Sequence, residues 1–184
     1  MEEKKAESNV YKEILSWVKA IALALAVALV IRFFLFEPMT IPSGSMLDTL
    51  QIGDRIYVNK FIYKLTPIKR GDIVVFWYPD NPSVRYVKRA VGLGGDVVEI
   101  KKGRLYVNGV VQNEPYLKEP MRPEDFGPYK VPADHYFMMG DNRNDSLDSR
   151  YWNNKYVDKS AVIGKPVFIY FPLNRIGVIK TAAP

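Results

Sequence analysis

A serine in a tight Pro/Gly turn and a lysine in an apolar strand pattern are the two residues of this chain whose settings point to chemistry. The serine is Ser45, in Ile41-Pro42-Ser43-Gly44-Ser45-Met46. A serine hydroxyl is a weak nucleophile until a neighbouring base takes its proton. The 184 residues contain one histidine and no cysteine, so the usual imidazole base is scarce and thiolate chemistry is excluded. The strongest candidate base is Lys88, in Tyr86-Val87-Lys88-Arg89-Ala90-Val91. In a strand, alternate residues share a face, which groups Tyr86, Lys88 and Ala90 and sends Val87, Arg89 and Val91 the other way. An aromatic and a small apolar neighbour give Lys88 a dry setting, and desolvation lowers a lysine pKa. A base working near neutral pH needs a fall of about two to three units from ~10.4. Arg89, on the opposite face, reads as an ordinary solvated or ion-paired side chain. The competing reading makes Lys88 one more exposed strand lysine.

A third stretch, Gly140-Asp141-Asn142-Arg143-Asn144-Asp145-Ser146-Leu147-Asp148-Ser149-Arg150-Tyr151-Trp152, is dense in polar side chains yet lies between apolar strands. It is not a calcium loop: Arg143 stands at the third ligand position, Ser146 where glycine is needed, and Trp152 where the terminal glutamate belongs. It reads either as a plain polar loop or as hydrogen-bonded support for a buried site. In the second reading Ser146 accepts a proton from Lys88 or orients it, and Asp148 pairs with Arg150 to brace the loop. The rival catalytic arrangement is a Ser-His-Asp triad on His135, with Asp134 or Asp141 as its acid.

These residues need elements to hold them. Residues 14–36 are predominantly apolar, with an uninterrupted run over 20–31 and Lys19 and Arg32 near its ends, where long side chains reach the interface. As a helix the segment reaches ~34 Å at 1.5 Å per residue, enough for a single membrane span. Phe-Leu-Phe-Glu-Pro after it is a poor cleavage site for a removable leader. Lys4, Lys5, Lys12 and Lys19 precede the run, which places residues 1–13 in the cytoplasm and residues 37–184 on the extracytoplasmic side of the cell membrane. Beyond Pro38, short β-type runs at 55–58, 72–77, 85–91, 97–101, 104–107, 136–139 and 162–170 are punctuated by Gly, Pro, Asn and Asp. Lys102-Gly103 and Asn108-Gly109 are hairpin turn signals. Residues 103–134 form a small cap-like excursion, rich in proline and charge over 114–132. The expected architecture is mainly β: one N-terminal transmembrane helix, then a largely antiparallel catalytic domain with a small cap. Phe61-Ile62-Tyr63-Lys64-Leu65 is an aromatic, apolar and cationic run that either dips into the membrane interface or packs under a loop. Net charge +6 is scattered rather than gathered, which argues against a nucleic-acid partner and is compatible with a lipid surface.

Together the stretches resemble the bacterial type I signal peptidases. Pro42-Ser43-Gly44-Ser45-Met46 matches that family's nucleophile box, Gly71-Asp72-Ile73-Val74-Val75-Phe76 its next strand, YVKRAVGLGGD over 86–96 the box with the lysine, and MGDNRNDSLDSRYW over 139–152 its last box. The resemblance implies a membrane-bound Ser–Lys endopeptidase that removes signal peptides from secreted preproteins, without metal or other cofactor. It implies Ser45 as nucleophile, Lys88 as general base, Ser43 with the Ser45 backbone N–H as oxyanion hole, Ser146 as the residue orienting the lysine, and Asp148 and Arg150 as structural support. An extended substrate would add to a sheet edge near residues 39–43. A reading of another class, a tethered β domain that binds partners without cleaving them, accounts for the strands but gives no reason for Ser43, Ser45, Lys88 and Ser146.

Overall fold

The computed structural model describes the backbone of residues 2–180 and the side chains of residues 12–29 and 35–180. The chain divides into two units, Met1–Glu37 and Pro38–Pro184. The first is a single helix, α1 (Glu2–Phe34). Among the described residues no helix is long and apolar enough to cross a membrane. The described stretch 12–29 carries Lys12, Glu13 and Lys19 beside its apolar side chains, so the span expected over 14–36 is not supported here. The side chains of Lys4, Lys5, Arg32, Phe33 and Phe34, which that expectation used, lie outside the described residues. What the helix does present is exposed apolar surface, including Trp17, Ile21, Leu23 and Leu25.

The second unit is built from strands. In chain order these are β1 (Phe36–Thr40), β2 (Arg55–Asn59), β3 (Ile73–Tyr78), β4 (Asn81–Leu93), β5 (Val97–Lys101), β6 (Arg104–Val107), β7 (Val110–Val111), β8 (Phe126–Lys130), β9 (His135–Met139), β10 (Val157–Asp158), β11 (Val162–Phe171) and β12 (Gly177–Val178). An eight-stranded sheet runs β1-β2-β11-β3-β4-β9-β10, with β12 beside β11, and a four-stranded sheet runs β7-β6-β5-β8. The pairings from β2 onward are antiparallel. All seven strands read from sequence are present, each shifted by at most a few residues. The excursion expected over 103–134 is less a cap than a second sheet: β6, β7 and β8 all fall inside it and pair around β5. Pro120 and Pro123 interrupt its apolar pattern, and pairing by β8 with a strand already paired on its other edge is a tertiary choice that local sequence does not mark.

The central strand β3 explains how the large sheet is filled. Its Ile-Val-Val-Phe run is apolar at every position, as expected for a strand covered on both faces. Ile73 and Val75 enter a core with Met46, Leu50, Ile56 and Val87. Val74 and Phe76 enter another with Ala90, Met138 and Trp152. A third core, with Val98, Leu105 and Phe137, lies between the second sheet and β9. The run 61–65 becomes a short helix, α2 (Ile62–Leu65), with Phe61 and Leu65 exposed and the Tyr63 hydroxyl donating to the Ile73 carbonyl.

Two glycines separate backbone strain from packing. Gly109 follows Asn108 in the β6–β7 turn with φ of 79°, and a Cβ there would meet nothing within 4 Å. Gly92 has ordinary φ, but a Cβ would lie 2.4 Å from a Val98 methyl and 3.1 Å from the Phe137 Cβ. Gly109→Ala is expected to lower stability by about 1 kcal/mol through strain alone. Gly92→Ala is expected to lose about 1–3 kcal/mol through overpacking between the two sheets. Urea midpoints of the two variants check both values.

Candidate active site

The turn that carries Ser45 is pinned at both ends before its chemistry begins. Ile41 and Met46 are buried in the first core. The Ile41 N–H donates to the Asp54 carbonyl and the Gly53 N–H returns the bond to Ile41, at 2.9 Å each. Between them, Gly44–Met46 forms one turn of 3₁₀-helix. The apolar side chains at 41 and 46 thus leave the polar turn between them facing a cleft of about 360 Å³. Met39 and Ile41 lie along one wall, residues 84–88 of β4 along the other, and Asp145 and Leu147 close one side.

Lys88 reaches the serine across this cleft. Antiparallel pairing sets Lys88 opposite Val74 of β3, which faces the Trp152 core. The side chain is 4 % exposed, and Nζ lies 2.5 Å from Ser45 Oγ. The Tyr86 ring, on the same face as expected from strand alternation, is centred 5.3 Å from Nζ. It is held there by stacking on Tyr78, with centroids 4.5 Å apart, and by Trp152. Burial pushes the Lys88 ammonium down to about 8; the Asp148 and Asp141 carboxylates oppose the shift, and the Arg150 guanidinium adds to it. Ser43 Oγ is 3.5 Å from Ser45 Oγ.

The 140–150 segment surrounds this pair with ionic contacts. Arg150 forks onto Asp148 with two 2.9 Å bonds, both side chains being fully buried, and Arg150 also donates to the Arg143 carbonyl at 2.7 Å. The Asp148 carboxylate accepts from the Gly140 N–H at 3.1 Å. Pairing of Asp148 with Arg150 is therefore as read from sequence. Ser146 sits close by: a Cβ added to Gly140 would fall 2.3 Å from Ser146 Oγ and 2.4 Å from the Ser45 carbonyl oxygen. The expected bond from Ser146 to Lys88 is not formed, however. Ser146 Oγ is buried without a hydrogen-bond partner among the described residues, and the lysine bonds to Ser45 instead.

Arg89 takes the ion-paired alternative of the sequence reading, but in the interior rather than at the surface. It is wholly buried rather than solvated, forks onto Asp141 at 2.8 and 2.6 Å, donates to the Gly71 carbonyl at 2.6 Å and stacks 3.8 Å from the Tyr116 ring centroid. Both faces of β4 are covered here, so an alternation argument finds the face but not its environment. Asp141 in turn accepts from Thr49 Oγ1 at 2.5 Å, a tie back to the nucleophile turn. His135 is remote from this site. It bonds the Ala133 carbonyl, lies 3.5 Å from Asp158, and does not border the cleft.

Comparison with known proteins gives the family. The family model described as "Signal peptidase, peptidase S26" matches residues 14–171. This chain belongs to the signal peptidase, peptidase S26, family. Like other members of the peptidase S26 family, it is a serine hydrolase, so the non-catalytic binding reading falls. It is 43% identical over 183 residues to signal peptidase I P of Bacillus subtilis subsp. natto, covering 95% of this chain and 96% of that one. It is 44% identical over 178 residues to signal peptidase I of Bacillus licheniformis, covering 92% and 95%. A signal peptidase I crystal structure from Enterococcus faecalis aligns at 35% identity with a TM-score of 0.48, covering 54% of this chain and 97% of that one.

Sequence reasoning missed Glu114, Tyr116, Asn142 and Arg143 as parts of this S26-family site. Glu114 forks onto the buried Arg143 at 2.9 and 2.5 Å, and Arg143 donates to the Gly140 carbonyl at 3.0 Å. A glutamate and a tyrosine two apart in a proline-rich stretch carry no local signal of this. The only available hint was that the 140–150 segment holds two arginines that needed buried acids. Glu114→Ala is expected to destabilise the protein by about 3–5 kcal/mol, because Arg143 is left charged and unpaired in the interior. Thermal and denaturant unfolding of the purified variant measure it.

Proposed function

We propose that this protein removes signal peptides from secreted preproteins, with Ser45 as nucleophile and Lys88 as general base. The observation that carries the reading is the 2.5 Å approach of Lys88 Nζ to Ser45 Oγ with the lysine removed from water. A neutral lysine accepts the serine proton as Oγ attacks the scissile carbonyl. The ammonium so formed returns the proton to the leaving amine. Water, activated by the same lysine, then hydrolyses the acyl-enzyme. Charge that develops on the carbonyl oxygen is met by the Ser45 backbone N–H and the Ser43 hydroxyl. Ser146, buried beside the Ser45 turn with its hydroxyl unpartnered among the described residues, is the residue left to orient the lysine, and Asp148 and Arg150 keep its loop in place. An extended signal peptide lies along the cleft between β1 and β4, its main chain bonded to the sheet edge and its small side chains seated in the shallow floor.

The membrane enters this reading through α1. Its exposed apolar side chains, with Lys12 and Lys19 able to extend their charges to an interface, support seating in the cell membrane, N-terminus cytoplasmic and the β unit extracytoplasmic. Membrane fractions from expressing cells are expected to retain the full chain through alkaline carbonate extraction, and protease added outside is expected to reach the β unit only. Release of the full chain into the carbonate supernatant would remove this part of the proposal.

The dyad is tested by variants assayed on a preprotein in detergent. Ser45→Ala and Lys88→Arg are expected to be inactive while folded, the second because a guanidinium is not deprotonated in proteins. Ser43→Ala should retain more activity, falling ~10²–10³-fold in kcat. His135→Ala should keep most of its activity.

The base is active when neutral, and its pKa is about 8. kcat/KM should therefore rise with pH along a limb near 8, whereas a histidine base would give a limb near ~6.5. An active Lys88→Arg enzyme would sink the assignment.

A further inference from the structure

Asn142 holds both peptide planes that flank Ser45. Its side-chain Nδ2 donates to the Gly44 carbonyl at 3.1 Å, and its backbone N–H donates to the Ser45 carbonyl, also at 3.1 Å. Gly44 O and Ser45 N–H belong to one trans peptide unit, so they point in opposite directions across a rigid plane. Whatever fixes the carbonyl therefore aims the N–H. Asn142 is 2 % exposed, and its Oδ1 has no partner among the described residues. The amide's contact with the site is thus the Nδ2 bond alone. Because a carbonyl only accepts, that bond also settles which way the amide faces. The Leu47 N–H shares the same acceptor at 3.2 Å, but it belongs to the turn itself and moves with it. Asn142 is the anchor on the Gly44 carbonyl that comes from outside the turn.

We propose that Asn142 is a positioning residue for the oxyanion hole: by holding the Gly44 carbonyl it directs the Ser45 N–H at the oxygen that becomes charged in the transition state. The inference rests on the Ser45 nucleophile reading. It separates Asn142 from the other polar residues of its segment. Asp148 and Arg150 bear on the lysine through charge, whereas the Asn142 side chain bonds only to the turn. Removing its side chain leaves Ser45 Oγ and Lys88 Nζ in place and loosens only the plane that carries the donor. The backbone bond to Ser45 O survives any side-chain substitution and keeps the second plane fixed.

The test compares the full-length enzyme with Asn142→Ala and with Asn142→Asp, which keeps the shape but has no donor. The probes are a preprotein substrate, a peptide boronate whose tetrahedral adduct places an oxygen in the hole, and an uncleavable peptide of the same sequence. Both variants are expected to lose about 10- to 100-fold in kcat, less than deletion of a whole donor, with KM changed less than about twofold. Boronate affinity should fall by the same factor, and affinity for the uncleavable peptide should not change. The acid-side limb of the Asn142→Ala profile should stay at its wild-type position, since that change adds no charge beside the lysine, whereas Asn142→Asp adds a carboxylate that raises the limb. In the Ser43→Ala background the added loss from Asn142→Ala should differ from its loss alone, because both act on one oxygen.

A folded variant with wild-type kcat and boronate affinity overturns the inference. So does a loss carried by KM, or by a moved acid limb in Asn142→Ala, and so does failure of both variants to fold, which would assign Asn142 to stability alone. If Ser45→Ala binds the boronate as tightly as the wild-type enzyme does, no adduct forms on Ser45 and the nucleophile reading itself has failed. An adduct on Ser45 with unchanged affinity in the variants overturns the Asn142 inference only.

Discussion

Removal of one ammonium group from water is the constraint to which the rest of this fold answers. Lys88 falls from 10.5 to about 8 through burial, which at 1.36 kcal/mol per unit amounts to ~3–4 kcal/mol of destabilisation when the proton is bound. Below pH 8 the folded and unfolded chains both carry that proton and the penalty is felt in full. Between 8 and 10.5 the folded chain gives up the proton first, so this contribution to stability improves as pH rises. Above 10.5 the penalty is gone. The group proposed as the base is therefore a standing liability at neutral pH, and the double-sided apolar packing of β3 and β4 must outweigh it.

A dry setting is only part of what the lysine needs, since charges near it would override the effect of burial. Arg89 with Asp141, Arg143 with Glu114 and Arg150 with Asp148 are buried guanidinium–carboxylate pairs around the site. Each is close to neutral as a unit. Their planar forks use two donors on two acceptors, which fixes direction as well as distance. The carboxylates pull the lysine pKa up, the nearest guanidinium pushes it down, and desolvation decides the outcome. The pairs give shape to the segment without much net field. That explains how so many ionised groups stand within one small region beside a base that has to lose its charge.

The sequence made the reacting residues legible and left their supports obscure. Ser45, Lys88, Asp148 and Arg150 lie in short runs whose local pattern already implies a turn, a strand face and an ion pair. The hairpin turns were equally readable: Lys102 and Asn108 have φ of 48° and 51°, each followed by a glycine at positive φ, as those dipeptides require. Ser146 lies near the site as read, but its expected bond to Lys88 is not formed, because a serine rotor is set by three-dimensional neighbours. Arg89 is ion-paired, one of the two settings read for it, but its burial was not legible, since strand alternation is blind to what lies above each face. Glu114 and Tyr116 were invisible for a stronger reason. They come from a segment whose β8 pairs with β5, and nothing local announces that they meet Arg143 and Arg89. The helix at the N-terminus was read correctly as a helix with an apolar stretch; among the described residues no helix is long and apolar enough to cross a membrane.

The distances along the chain at which these contacts close have a consequence for when the protein acquires activity. Ser45 and Lys88 are 43 residues apart, Thr49 and Asp141 are 92, and Gly44 and Asn142 are 98. Contacts of such separation form only after several loops have been closed, and loop closure is what makes β topologies slow to assemble. A chain that has made its local hairpins but has not yet docked residues 140–150 holds a serine with no aimed donor and a lysine still wet and protonated. Proteolytic competence is then a property of the completed fold and not of its parts. On the Ser45–Lys88 reading, a chain short of that docking carries the reacting groups without the setting that makes them react.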